Sequence, residues 1–160
     1  MADYSNIQKE ETLKAQVFRD FFSSQKYTYE PDIDNIDFVV TEAKTQKGNL
    51  WANHYLWAEA KKGIQEISVM ITQLILTIKK TIDKGERLPP PYIGCFDTQR
   101  IAFIPFHDIL PIFNESDFNW NTPPSNHEAK DFKKAKSKIE KLYLSNLVLF
   151  HFASDKDDII

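Results

Sequence analysis

The segment from Ile64 to about Asp83 constrains the fold more than any other part of the chain. Ile64, Ile67, Ile71, Leu74, Ile75, Ile78 and Ile82 recur at helical spacing and form one apolar stripe. Val69, Met70 and Leu76 fall outside that stripe. The spacing therefore predicts a helix covered on more than one side, and the rest of the chain has to supply the cover. Pro89-Pro90-Pro91 ends the region.

The remaining elements follow from the same kind of pattern. Leu13, Val17, Phe18, Phe21 and Phe22 predict a first helix from about Gln8 to Ser24. Lys26 to Pro31 is aromatic and predicts a short strand, and Ile36 to Thr41 is β-branched and apolar, a second strand. A turn signal at Thr45 to Asn49 separates it from a third strand over Leu50 to Lys61. Tyr92 to Phe96 and Arg100 to Phe106 flank Asp97-Thr98-Gln99 and predict a hairpin. A polar loop over 114–125 contains Trp120. Ser125-Asn126-His127-Glu128 then has the form of a capping box opening a last helix, with Phe132, Ala135, Ile139, Leu142 and Tyr143 on one face. The acidic tail from Ser154 to Ile160 carries no clear terminal element. This order predicts a single α/β or α+β domain over residues 1–160.

Composition narrows the class. With 160 residues, 42% hydrophobic and 13% aromatic, the chain can bury one full core. Its net charge of -3 requires any nucleic-acid function to use a local positive face. The lone Cys95 sits in an apolar run, which predicts a small buried hydrophobe and a reducing, cytoplasmic compartment. No stretch approaches the roughly 20 apolar residues of a membrane span, so no membrane partner is expected.

The chemistry concentrates in Trp57-Ala58-Glu59-Ala60-Lys61. Alternation along a strand sends Glu59 and Lys61 to one face and Ala60 to the other. Asp37 lies in the preceding strand, and a hairpin pairing would bring the two carboxylates together. Two carboxylates and a lysine suit phosphodiester hydrolysis. A hard divalent ion takes oxygen ligands, and lysine offsets charge developing on phosphorus. The alanines beside Glu59 would leave room for a DNA backbone. Glu42-Ala43-Lys44 repeats the Glu-x-Lys spacing, but Glu42 has the opposite parity to Asp37 in one strand. The second Glu-x-Lys is therefore preferred.

Asp37, Glu59-Ala60-Lys61 and the order of elements from about Thr12 to Pro111 resemble the PD-(D/E)XK restriction-endonuclease-like nucleases. More narrowly, Asn35-Ile36-Asp37-Phe38-Val39-Val40, Leu56-Trp57-Ala58-Glu59-Ala60-Lys61-Lys62-Gly63 and Asn119-Trp120-Asn121 resemble the N-terminal nuclease part of bacterial type IIG-like restriction-modification enzymes. In these enzymes one polypeptide also carries an adenine-N6 methyltransferase. The resemblance implies a central mixed β-sheet flanked by helices and Mg2+-dependent cleavage of double-stranded DNA, with Mn2+ able to substitute. It further implies Asp37, Glu59 and the Ala60 carbonyl as metal ligands, with Lys61 assisting the attacking water. The partners it implies are methyltransferase and specificity domains of a longer parent protein.

Gln73-Leu74-x-x-Thr77 is similar to the Gln-x-x-x-Tyr element of helicase-linked nucleases, with Thr77 in place of tyrosine. Gln73 is accordingly an auxiliary candidate, as are Glu10 and Glu11, although acids in a first helical turn also serve the helix dipole. Lys62, Lys130 and Lys134 are candidates for DNA contact. The last two belong to a run of six lysines between Lys130 and Lys141 that also suits a solvated face. The four histidines show no ligand spacing, and Trp120 has two roles open to it, base stacking or packing. A non-catalytic DNA-binding module and a repair or junction nuclease of the same fold are the alternative functions.

Overall fold

A computed structural model describes residues 4–22, 27–33, 35–42, 54–84 and 90–155. The elements are α1 (Glu10–Phe21), β1 (Tyr27–Ile33), β2 (Ile36–Glu42), β3 (His54–Ala60), α2 (Ile67–Lys84), β4 (Tyr92–Phe96), β5 (Arg100–Pro105), α3 (Phe106–Ile109), a 3-10 turn (Leu110–Asn114), α4 (Lys130–Leu142), β6 (Val148–His151) and α5 (Phe152–Asp155). The expected turn at Thr45 to Asn49 lies outside the described residues, as do Ala43-Lys44 and Pro89.

The six strands form one mixed sheet in the order β1-β2-β3-β4-β5-β6. Neighbours run antiparallel except β3 and β4, which are parallel. A parallel pair needs a crossover, and α2 supplies it. No helix among the described residues is long and apolar enough to cross a membrane.

Strand alternation divides the core in two. Val39, Trp57, Ile93, Cys95, Ala102 and Ile104 pack with Met70, Ile71, Leu74, Ile75 and Ile78 of α2. Phe38, Val40, Leu56, Ala58, Ala60, Phe96 and Ile101 pack on the opposite face with Leu13, Val17 and Phe21 of α1. A third cluster joins Val69 and Leu76 of α2 to Phe132 and Ala135 of α4. Val69 and Leu76, outside the apolar stripe, thus face α4 while Met70 joins the sheet side, so α2 is covered on more than one side as its spacing predicts. Cys95 is fully buried, and burial pushes its thiol pKa up, so it packs as a hydrophobe.

Gly94 sits where β4 is sandwiched between β3 and β5. A Cβ there would lie 2.3 Å from the Ala102 carbonyl oxygen, a backbone atom that cannot move aside cheaply. Gly94→Ala is expected to destabilise the fold by about 1–3 kcal/mol through overpacking. Urea unfolding measures this, and an unchanged midpoint would contradict the close approach.

Several sequence expectations need correction. The long helix begins at Ile67 rather than Ile64, and Ile64 is 65% exposed. Gly63 adopts a φ of 79°, and the Gln65 N–H donates to Asp97, so 64–66 lies outside the helix. The capping box does not form. α4 starts at Lys130 with Ala129 as its N-cap and no side-chain cap, because residues 123–129 are held in turns of their own. Leu142, expected on the buried face, is 61% exposed at the helix end. The end of the described chain adds β6 and α5, and Phe152 of α5 stacks at 5.4 Å on Phe21 of α1.

Candidate active site

Asp37 and Glu59 meet because of register. Phe38 pairs with Ala58 and Val39 with Trp57. The next step of the same antiparallel register sets Asp37 across from Glu59, where opposed Cβ atoms lie about 4.5–5.5 Å apart. Both residues share the parity of Val39 and Trp57, so both carboxylates turn toward the α2 side of the sheet. The Ala60 N–H donates to Asp37 Oδ2 at 3.3 Å and ties the two strands at this point. Lys61 continues the strand by one residue, its N–H donating to the Phe96 carbonyl at 3.0 Å. Its ammonium stands 3.2 Å from Glu59 Oε1. All three candidate residues are therefore brought together.

The alanines have a different purpose from the one expected. Ala58 and Ala60 are buried on the α1 side, so they leave room for α1 rather than for a ligand.

Glu59 is only 2% exposed, and its carboxyl pKa is pushed up to about 8. Burial is the main cause and the neighbouring Asp37 charge adds to it; Lys61 opposes both without cancelling them. The Lys61 ammonium is the ion-pair partner of the buried Oε1. Two apposed carboxylates form a hard-oxygen donor set whose mutual repulsion a small dication would relieve. Among the described residues no group of three or more His, Cys, Asp or Glu is gathered as for a metal. A pair of carboxylates offers the oxygen ligands that Mg2+ would take together with waters and phosphate oxygens.

The turn beneath the site is fixed by Asp97, which is fully buried. Its Oδ1 accepts from the N–H groups of Gln99 and Arg100, each at 2.8 Å. Its Oδ2 accepts from the Gln65 N–H at 3.1 Å and from Arg100 Nη2 at 3.0 Å. Arg100 also donates to the Gln65 carbonyl, and Thr98 donates twice to the Gly63 carbonyl. The stretch after Lys61 is held to the β4–β5 hairpin on both sides. The sequence showed the hairpin but not this role, because Asp in a tight turn is expected in any case.

Gln73 is half-buried, and its Oε1 accepts from His127 Nε2 at 2.8 Å. Burial, and after it the charge of Lys61, holds the His127 imidazole below its ordinary pKa; Glu128 opposes them. His127 therefore links Gln73 to the neighbourhood of Lys61. No local pattern signalled this contact, since the two residues lie on different elements far apart in sequence.

Glu10 and Glu11 belong to α1, on the opposite face of the sheet from the carboxylate pair, and Glu11 pairs with Lys14 at 2.8 Å. They act as acids of a first helical turn. His54 accepts from the Trp57 indole N–H at 2.7 Å, where the register of β2 on β3 breaks between Val40 and Thr41. Trp120 packs within its own domain, stacked on Phe113 at 5.8 Å, with its N–H donated to the Glu115 carbonyl and Lys79 over its ring. Lys62, Lys130 and Lys134 are exposed. Lys136 and Lys138 pair with acids, Lys138 with Glu115 and Asp117 at 3.0 and 2.7 Å, which makes that part of the lysine run a solvated, neutralised face.

No family model, no curated protein and no solved structure matches the chain.

Proposed function

We propose that the chain is a Mg2+-dependent DNA endonuclease domain of restriction-endonuclease-like fold, belonging to a restriction-modification protein. The observation that carries this reading is the apposition of Asp37 and Glu59 across β2 and β3, with the Lys61 ammonium beside them. Bound Mg2+ would supply Lewis-acid polarisation of the phosphate and a more acidic water. Asp37 and Glu59 hold the ion, with the Ala60 carbonyl as a further oxygen. Lys61 orients the attacking water and offsets charge on the phosphate oxygens. The rigid turn under Asp97 keeps Lys61 from drifting, which matters because small misplacements cost large factors in rate. Lys62 contributes positive charge at the same end of β3, and Lys130 and Lys134 are secondary contacts to the backbone. Sequence recognition belongs to specificity domains elsewhere in a parent polypeptide, with the methyltransferase, so cleavage by these residues alone is weak and nonspecific.

The test is cleavage of supercoiled plasmid with Mg2+ or Mn2+, comparing wild type with Lys61→Ala. Wild type is expected to nick slowly, and the variant to lose roughly 100-fold or more, the size of effect seen for a removed charge-stabilising donor. Full activity in Lys61→Ala, or cleavage that persists in chelator, would sink the mechanism.

A further inference from the structure

We infer that the groove along α2, bounded by Asn35 and by the loop at Pro124 and Ser125, seats the sugar-phosphate backbone of the DNA that enters the carboxylate site; this rests on the nuclease reading above. The groove encloses a volume of about 300 Å³. Gln73, Thr77, Lys80, Thr81 and Lys84 line one wall of it. Their spacing puts them on a single face of the helix.

The chemistry of the lining selects an anion. Among the described residues that line it, the titratable side chains are Lys80 and Lys84, and none is a carboxylate. Both lysines are exposed, and neither forms an ion pair among the described residues. Their neighbour Lys79 is engaged instead with Asp83 at 3.0 Å and with the Trp120 ring. Gln73 Oε1 is taken by His127, so its amide N–H groups are the part left for a ligand. The Thr77 and Thr81 hydroxyls donate into their own helix, to Gln73 and Thr77 carbonyls, and add no competing negative charge.

Position ties the groove to the site. Asn35, at a φ of 66°, turns the chain from β1 into β2 two residues before Asp37. Gln73 reaches the Lys61 neighbourhood through His127. A strand whose scissile phosphate lies at Asp37 and Glu59 can therefore continue past Asn35 and Gln73 to Lys80 and Lys84. None of these lysines carried a signal in the sequence, where they read as the polar side of an apolar helix.

The experiment is equilibrium binding of a fluorescent DNA duplex to the whole chain in chelator, over a range of salt. Lys80→Ala/Lys84→Ala is compared with wild type and with Lys9→Ala/Lys141→Ala, which removes two exposed lysines outside the groove. Two lost phosphate contacts should lower the slope of log K against log salt by about 1.8 and weaken binding some tens of fold near 0.1 M salt. The control pair should change neither. Unchanged affinity and slope in the groove variant, equal losses in the control, or no binding by wild type would each overturn the groove. Cleavage is scored separately on the same proteins. Metal-dependent cleavage with an indifferent groove variant leaves the nuclease reading standing, whereas groove-dependent binding without any cleavage removes that reading and keeps the groove.

Discussion

Glu59→Gln is expected to stabilise the folded protein at neutral and alkaline pH while abolishing cleavage. The carboxyl ionises near 4.5 in the unfolded chain and at about 8 in the folded one. Between those values the folded state keeps a proton that the unfolded state has released. Stability must therefore fall as pH rises through that window, by about 1.4 kcal/mol per unit, and level off above the folded pKa. Below the lower value both states are protonated and the contribution is flat. Summed over the window, the loss is on the order of 5 kcal/mol. Glutamine preserves the shape and carries no proton to lose, so its stability should run level where wild type declines. Urea unfolding in chelator at pH 5, 7 and 9 measures the divergence. Parallel curves for the two proteins would refute the account. Mg2+ should flatten the wild-type decline, because bound metal favours the ionised carboxylate and releases its proton.

Asp97→Ala should have an effect of similar size and opposite sign. The substitution removes the acceptor of three backbone N–H groups and of the Arg100 guanidinium at a fully buried position. Arg100 already has one buried nitrogen, Nε, without a partner. Breaking a buried charge pair from one side costs about 3–5 kcal/mol. The same acceptor holds Gln65 ahead of α2 and so steadies Lys61, which makes activity fall further than the folded fraction does. Thermal unfolding and plasmid cleavage, both normalised to folded protein, separate the two effects. A variant with wild-type stability would show that the turn does not depend on this carboxylate. Asp97→Asn is the milder comparison, since one oxygen still accepts while the charge opposite Arg100 is gone.

Local pattern made much of this protein legible. The α2 stripe, the strands carrying Asp37 and Glu59 and the β4–β5 hairpin all follow from spacing that the backbone geometry imposes. Strand parity alone put Glu59 and Lys61 on one face. The failures have a common physical origin. The capping box between Ser125 and Glu128 was a valid local pattern, but turns at Pro123 and Asn126 hold those residues ahead of the helix, which starts only at Lys130. Ile64 matched the helical stripe, but Gly63 and the bond from Gln65 to Asp97 held it outside the helix. β6 is a short edge strand with exposed Val148 and Leu149, so it lacks the alternation that marks a half-buried strand.

The sequence by itself determined which residues can do the chemistry and which face each one takes, because side-chain direction follows from periods of two and 3.6 that need no partner. Only the tertiary structure decided what those residues experience. The register of β2 on β3 set Asp37 against Glu59, and burial beneath α2 raised the Glu59 pKa. The fold also brought His127 to Gln73, and lined Lys80 and Lys84 along a groove bounded by Asn35 and the loop at Pro124 and Ser125. Each of these depends on atoms distant in the chain, and desolvation and charge proximity have no sequence period from which they could be read.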